Sequence, residues 1–379
     1  MKESFYLASQ YLWFHKGRTS ILALALALIF TLPLTLKQSL NSFETKLRQR
    51  AESTPLLIGK KGRPYDLVLH NLYFQGKGLE SISYSESQKI DQEKLTESIP
   101  LFLKFTARKF PILGTSSQYL PFREATYASG VPFLEIGECV LGADVAESLK
   151  LKVGDSIVSD SSNAFSLTGA YPLKMKVVGV LNKQNSPDDS AVFCDIESTW
   201  IMAGIGHGHQ DVKNHSKEDN NIRVYNEVTE RNKEDFHFHG DKKDFPISAI
   251  IILPKDERNA TFLEDRIRRE GAVQLYRPGL VINDLLKMVF KIETMIQMAL
   301  TLVYLSSSLF FILIFSLNFK LRAKERQTLC ALGCSRTKIF QVHVTELLLI
   351  FLYAFIIVVI TQVALSHAPD EIMWELLKN

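Results

Sequence analysis

Three apolar runs punctuate an otherwise mixed sequence. Thr19–Leu36, Ala299–Phe319 and Leu347–Leu365 are free of charged residues. As helices they would extend roughly 27–30 Å, enough for a bilayer core. Pro33 near the far end of the first run is tolerable in a membrane helix. Lys16 and Arg18 precede that run and Lys37 follows it. Between the second and third lie Lys320, Arg322, Lys324, Arg326, Arg336 and Lys338, against one acid, Glu325. A short loop with that bias stays on the cytoplasmic side. The pattern predicts an interfacial helix over 1–18, spans over 19–36, 294–319 and 339–365, an extracytoplasmic domain over 37–293, a cytoplasmic hairpin over 320–338 and a tail over 366–379.

The flanks refine this picture. Phe5, Tyr6, Tyr11, Trp13 and Phe14 suit the membrane–water interface. The long stretch before the first run, and the lack of a small-x-small site after Leu36, favour an uncleaved anchor over a signal peptide. The tail HAPDEIMWELLKN is too short and too charged to span. Counting crossings puts the last residue outside.

Residues 37–293 contain no run of membrane length. Gln38–Glu52 reads as a helix leaving the membrane. Asp66–His70, Leu101–Ala107, Phe110–Leu113, Lys174–Val180, Ala191–Cys194 and Ile247–Leu253 read as strands, rich in β-branched and aromatic residues. Ala143–Leu149 and Glu257–Glu270 read as helices, and Pro278–Thr294 as a helix feeding the second span. Gly142 breaks strand before helix, and Gly154–Asp155 makes a turn before Ser156–Val158. The mixture predicts an α+β domain.

In the hairpin, Leu321–Leu332 lacks Gly and Pro, so helix can continue beyond the span. Gly333 is a natural stop and Ser335 a natural N-cap, although Lys338 stands where a capping box has Glu or Gln. Glu346, at the mouth of the third span, should face protein or the interface.

Arg322, Glu325, Leu329, Leu332, Gly333, Ser335, Ile339 and Glu346, in this order between two apolar runs, resemble the C-terminal module of MacB/FtsX-type ABC transporter permeases. Three further stretches resemble the same family. They are Gly59–Gly62 with Leu67–Asn71, Val140–Ala146 with Leu151–Asp155, and Val177–Val180 with Pro187–Asp189. The resemblance implies a permease subunit with a MacB-like periplasmic domain in a bacterial inner membrane. It implies an ABC ATPase subunit as partner, a second permease chain in a homo- or heterodimer, contact with membrane lipid, and in some relatives a periplasmic adaptor. Leu329, Leu332 and Ile339 would pack between hairpin and ATPase, with Glu325 and Arg326 making polar contacts. Relatives act on lipoproteins, peptides or drugs already outside. The family has four membrane helices, where this sequence predicts three.

Composition changes little. A net charge of +3 is accounted for by membrane flanks, and nothing suggests a nucleic-acid surface. No phosphate-binding loop, His-Glu-x-x-His, Gly-x-Ser-x-Gly or Cys-x-x-Cys occurs, so ATP hydrolysis belongs to a separate chain and no cofactor is called for. A membrane-anchored sensor or scaffold without an ATPase is the alternative. Cys139 and Cys194 could pair, or be small buried hydrophobes; Cys330 and Cys334 should stay reduced in the cytosol. His207, His209, His215, His237 and His239, with Asp211, Glu218, Asp219, Glu234 and Asp235, could offer imidazoles to a metal, but a polar surface loop is the favoured reading and no metal site is assigned. Asn71–Gly76, NLYFQG, resembles a protease tag site but reads as native chain, because His70 stands where the protease prefers Glu.

Overall fold

The computed structural model describes residues 2–76, 80–92, 96–160, 172–207, 226–229, 232 and 236–366. In chain order the elements begin with α1 (Lys2–Phe14), α2 (Lys16–Glu52), β1 (Leu56–Gly59), α3 (Pro64–Tyr73), β2 (Ile82–Ser83) and α4 (Ser85–Gln92). The next are β3 (Thr96–Ala107), β4 (Phe110–Thr115), α5 (Tyr119–Phe122), β5 (Tyr127–Gly130), β6 (Glu138–Leu141), α6 (Ala143–Leu149) and β7 (Ser156–Val158). After β8 (Leu173–Leu181), a 3-10 turn (Pro187–Ser190), β9 (Val192–Asp195) and α7 (Ile196–Met202) come β10 (Gly206–His207), β11 (Asn226–Glu227) and β12 (His237–Phe238). A short 3-10 turn (Lys242–Asp244) leads to β13 (Pro246–Ile247) and β14 (Ala249–Pro254), and α8 (Glu257–Glu270) and β15 (Gln274–Tyr276) follow. The described chain ends with α9 (Pro278–Leu321), α10 (Ala323–Ala331) and α11 (Arg336–Ser366). Two compact units divide at Thr45/Lys46 and Leu285/Leu286.

The middle unit is built on a mixed sheet in the order β11-β8-β6-β9-β4-β3-β14-β1-β15, with β5 and β7 also on β8. Period-2 alternation sorts its side chains. Leu56, Ile58, Phe102, Ile112, Cys194, Ile250 and Ile252 share one core cluster with residues of α4, α7 and α8. Leu57, Leu113, Phe193 and Ile251 alternate with them, yet are equally buried. A sheet buried on both faces needs near-continuous apolar strands, and β1 and β9 are of that kind. Trp200 of α7 anchors one end of the core. Its indole donates to the Pro246 carbonyl at 2.9 Å, and Tyr84, Phe238 and Phe245 meet it edge-on.

The stretch Asp66–His70, which reads as a strand, lies inside helix α3. Pro64 stands in its first turn with a suitable fixed φ, Asp66 complements the helix N-terminus, and Phe74 closes it in the left-handed region. Among its buried residues, Leu67, Val68, Asn71 and Leu72 recur at helical spacing. The stretch Ile247–Leu253 is broken at Ser248, whose hydroxyl accepts from the Leu103 amide at 3.0 Å. The turn before β7 is formed by Gly154, with φ of +98°.

The other unit contains three helices long and apolar enough to cross a membrane, in α2, α9 and α11. They bracket the mixed domain, which lies between the first and the second. Ala23, Leu26 and Ala27 of α2 pack on Ala354 and Val358 of α11. Small residues allow this close approach where no hydrophobic effect drives helices together. Further along the same seam, Gln362 donates to Thr35 Oγ1 at 3.0 Å, and the Thr31 and Thr361 hydroxyls lie 3.4 Å apart.

Candidate functional site

The hairpin is made by α10, a tight turn and the start of α11. The helix expected to run on through Leu332 is interrupted at Arg322, which separates α9 from α10. Gly333 takes φ of +87°, a conformation that Cβ-bearing residues resist, and lets the Cys334 amide reach back to the Leu329 carbonyl at 3.0 Å. The Ser335 hydroxyl accepts from the Lys338 amide at 3.3 Å, opening α11 as an N-cap does.

The base of the hairpin is a buried polar knot. Arg322 donates to Glu346 Oε2 at 2.7 Å, lies 3.3 Å from His343 Nδ1, and stacks 3.7 Å over the Tyr11 ring. His343 Nδ1 lies 3.4 Å from the same carboxylate oxygen, and Phe319 meets the imidazole edge-on. Arg18 donates to the Tyr11 hydroxyl at 2.7 Å. Glu346 is 7% exposed, so its charge at a membrane mouth is matched by Arg322 rather than by water.

The expected site residues therefore divide by direction. Arg322 and Glu346 turn into this knot, and Ile339 is buried. Arg326 folds back to donate to the Phe319 carbonyl and to cover the Phe319 ring. Gly333 and Ser335 shape the turn. Leu329 and Leu332 point outward, 39% and 77% exposed. Glu325 lies on α10, and its side chain is outside the described residues. The sequence pattern marks Tyr11 only as an interfacial aromatic and does not single out His343 or the exposed Phe340. His343 carries a usable signal, because it stands three residues before Glu346 and so shares its helix face.

A second buried polar cluster lies in the mixed domain. Arg50, in the last turn of α2, forms a two-pronged pair with Asp188, 2.8 Å to each oxygen, and also donates to the Leu72 carbonyl. Tyr119 OH accepts from Arg50 and donates to Asp188, at 3.0 Å each. Burial alone would raise the Asp188 carboxyl, but the Arg50 charge and hydrogen bonds hold it below the usual carboxylate range. The end of the first long helix is thus pinned to the 3-10 turn that precedes β9.

Among the described residues no group of three His, Cys, Asp or Glu side chains could hold a metal. The His237 and His239 rings meet edge-on, their centroids 5.0 Å apart. His209, His215 and the acids Asp211, Glu218, Asp219, Glu234 and Asp235 lie outside the described residues.

Three spanning helices, a large domain inserted after the first and a basic hairpin after the second define a multi-span membrane protein with one dominant domain between its helices. Residues 298–375 match the family model of the FtsX-like permease C-terminal domain, across the second span, the hairpin and the third span. The mixed domain has loose structural likenesses. One is the periplasmic region of MacB from Actinobacillus actinomycetemcomitans, at 10% identity and a TM-score of 0.37, covering 63% of this chain and 94% of that one. Another is the extracellular domain of the ABC-type transporter YknZ from Gram-positive bacteria, at 12% identity and a TM-score of 0.34, covering 59% and 98%. No curated protein matches the chain.

Proposed function

We propose that this chain is the permease subunit of an ABC-type transporter of the MacB/FtsX kind, working with a separate ATPase that docks on the hairpin. The observation that carries the proposal is the FtsX-like permease match over the segment whose hairpin exposes Leu329, Leu332 and Phe340. Apolar side chains on a basic, otherwise polar hairpin are costly unless a partner covers them. The hairpin is the cytoplasmic element, and residues 37–293 form the extracytoplasmic domain. Two permease chains sit in a bacterial inner membrane, meeting lipid and each other through apolar faces such as that of α9, where Leu302, Leu305, Leu309 and Phe310 are exposed. An exterior adaptor is a further partner of this class.

ATP-driven closure of two ATPase subunits moves the hairpins. The Arg322–Glu346 pair carries that motion into α9 and α11, and Arg50–Asp188 couples the end of α2 to the sheet. This is a two-state coupling between compartments, acting on exterior lipoproteins, peptides or drugs. The test is copurification of the ATPase with a chain carrying Glu325→Lys and Leu332→Lys. Membrane insertion should persist while the ATPase is lost at least tenfold, and an undiminished complex would sink the docking assignment.

A further inference from the structure

Cys139 of β6 stands directly opposite Cys194 of β9 in an antiparallel pair of regular register. The two strands are distant in sequence, so no turn forces this meeting. The Gly142 amide bonds the Ala191 carbonyl at 2.9 Å, which makes Gly142 and Ala191 a hydrogen-bonded pair. Bonded and non-bonded pairs alternate along an antiparallel ladder. Counting back through Leu141/Val192 and Val140/Phe193 puts Cys139/Cys194 at a non-bonded position, where opposed Cα atoms stand about 4.5 Å apart. That separation lies within the range disulfides span. Both cysteines are thiols here, fully buried, and members of one core cluster.

The position of the pair matters. β6–β9 is the seam between the β11-β8-β6 side of the sheet and the β9-β4-β3-β14-β1-β15 side. A bond there would staple two halves that otherwise share four-residue strands.

We propose that Cys139 and Cys194 are joined by a cross-strand disulfide in the mature protein. The proposal rests on the reading that residues 37–293 face the oxidising exterior compartment. The oxidant is a disulfide-form thiol oxidant of that compartment. One cysteine thiolate attacks a sulfur of the oxidant's disulfide, forming a mixed disulfide and releasing one oxidant thiolate. The second cysteine thiolate attacks the first cysteine's sulfur, closing Cys139–Cys194 and releasing the other oxidant sulfur. Two electrons pass to the oxidant, and its two sulfurs take up the two protons the cysteines gave up. Burial pushes both folded thiols well up, so closure belongs to folding, before the seam is sealed.

The experiment counts free thiols by intact mass. Full-length protein from membranes is denatured in excess maleimide without reductant. Of the four cysteines, only Cys330 and Cys334 should be modified, and all four after reduction. Cys139→Ser should release Cys194 and raise the unreduced count from two adducts to three. Four adducts on the unreduced wild-type chain would overturn the proposal, as would an unchanged count of two in Cys139→Ser. A separate arm labels an exposed Ser129→Cys on intact cells with an impermeant maleimide. Labelling there with four wild-type adducts sinks the disulfide alone, whereas no labelling sinks the exterior placement.

Discussion

Arg50 and Asp188 show how much rests on single side chains. Both are buried, and each answers the other's charge. Removing one partner from such a pair leaves an unpaired buried charge, at a cost of about 3–5 kcal/mol. Arg50→Met should therefore destabilise the mixed domain by that amount, followed through Trp200 fluorescence during urea unfolding. Arg50→Met with Asp188→Leu should recover much of the loss, because no charge is then stranded. Asp195 behaves in the opposite sense. It caps α7 by accepting from the Glu197 amide at 2.8 Å, but burial, with Glu197 adding to it, pushes its carboxyl up to about 6. A raised carboxyl binds its proton more tightly folded than unfolded, so its contribution is full below about pH 4 and is lost as pH rises through about 6. Asp195→Asn keeps an N-cap acceptor and should flatten stability against pH across that window, whereas an unchanged slope would acquit the residue. Neither role was legible in the sequence. Nothing local separates Arg50 from Arg48, and Asp188 stood out only as part of Pro187–Asp189. The two lie 138 residues apart in the chain.

Elements were legible where the signal runs along one dimension. Long uncharged runs, the 3.6 period of Glu257–Glu270 and the Gly333 stop depend on neighbours in sequence, and each has its counterpart in α2, α9, α11, α8 and the hairpin turn. Asp66–His70 reads as a strand because Leu67, Val68 and Leu69 have strand character, while the deciding cues for the helix are Pro64 and the burial of Asn71 with Leu72. Gly142 was placed correctly at a strand end, but its main constraint is spatial. A Cβ there would lie 2.3 Å from the Asp188 carbonyl oxygen and 2.4 Å from that of Asp189. Backbone cannot swing aside as a side chain can, so Gly142→Ala should cost about 1–3 kcal/mol or more. The same urea titration checks this, and a neutral result would show that the 3-10 turn is free to move.

At the scale of the molecule, the match of residues 298–375 to the FtsX-like permease C-terminal model and the three helices long enough to span are what the proposed class rests on. The bundle polar knot was only half visible beforehand. Arg322 and Glu346 were singled out for separate reasons, and their pairing with each other, His343 and Tyr11 needs three helices brought together. The hairpin carries the outward-facing part of the site, so the account stands or falls on what covers it. The most direct measurement is purification of the untouched complex from its native membranes in mild detergent, with every copurifying chain quantified by mass spectrometry. The account predicts an ATPase with a Gly-x-x-x-x-Gly-Lys-Ser/Thr loop, present at about one copy per permease chain. A chain that purifies in full yield with no such ATPase, and hydrolyses no ATP in company, would contradict it.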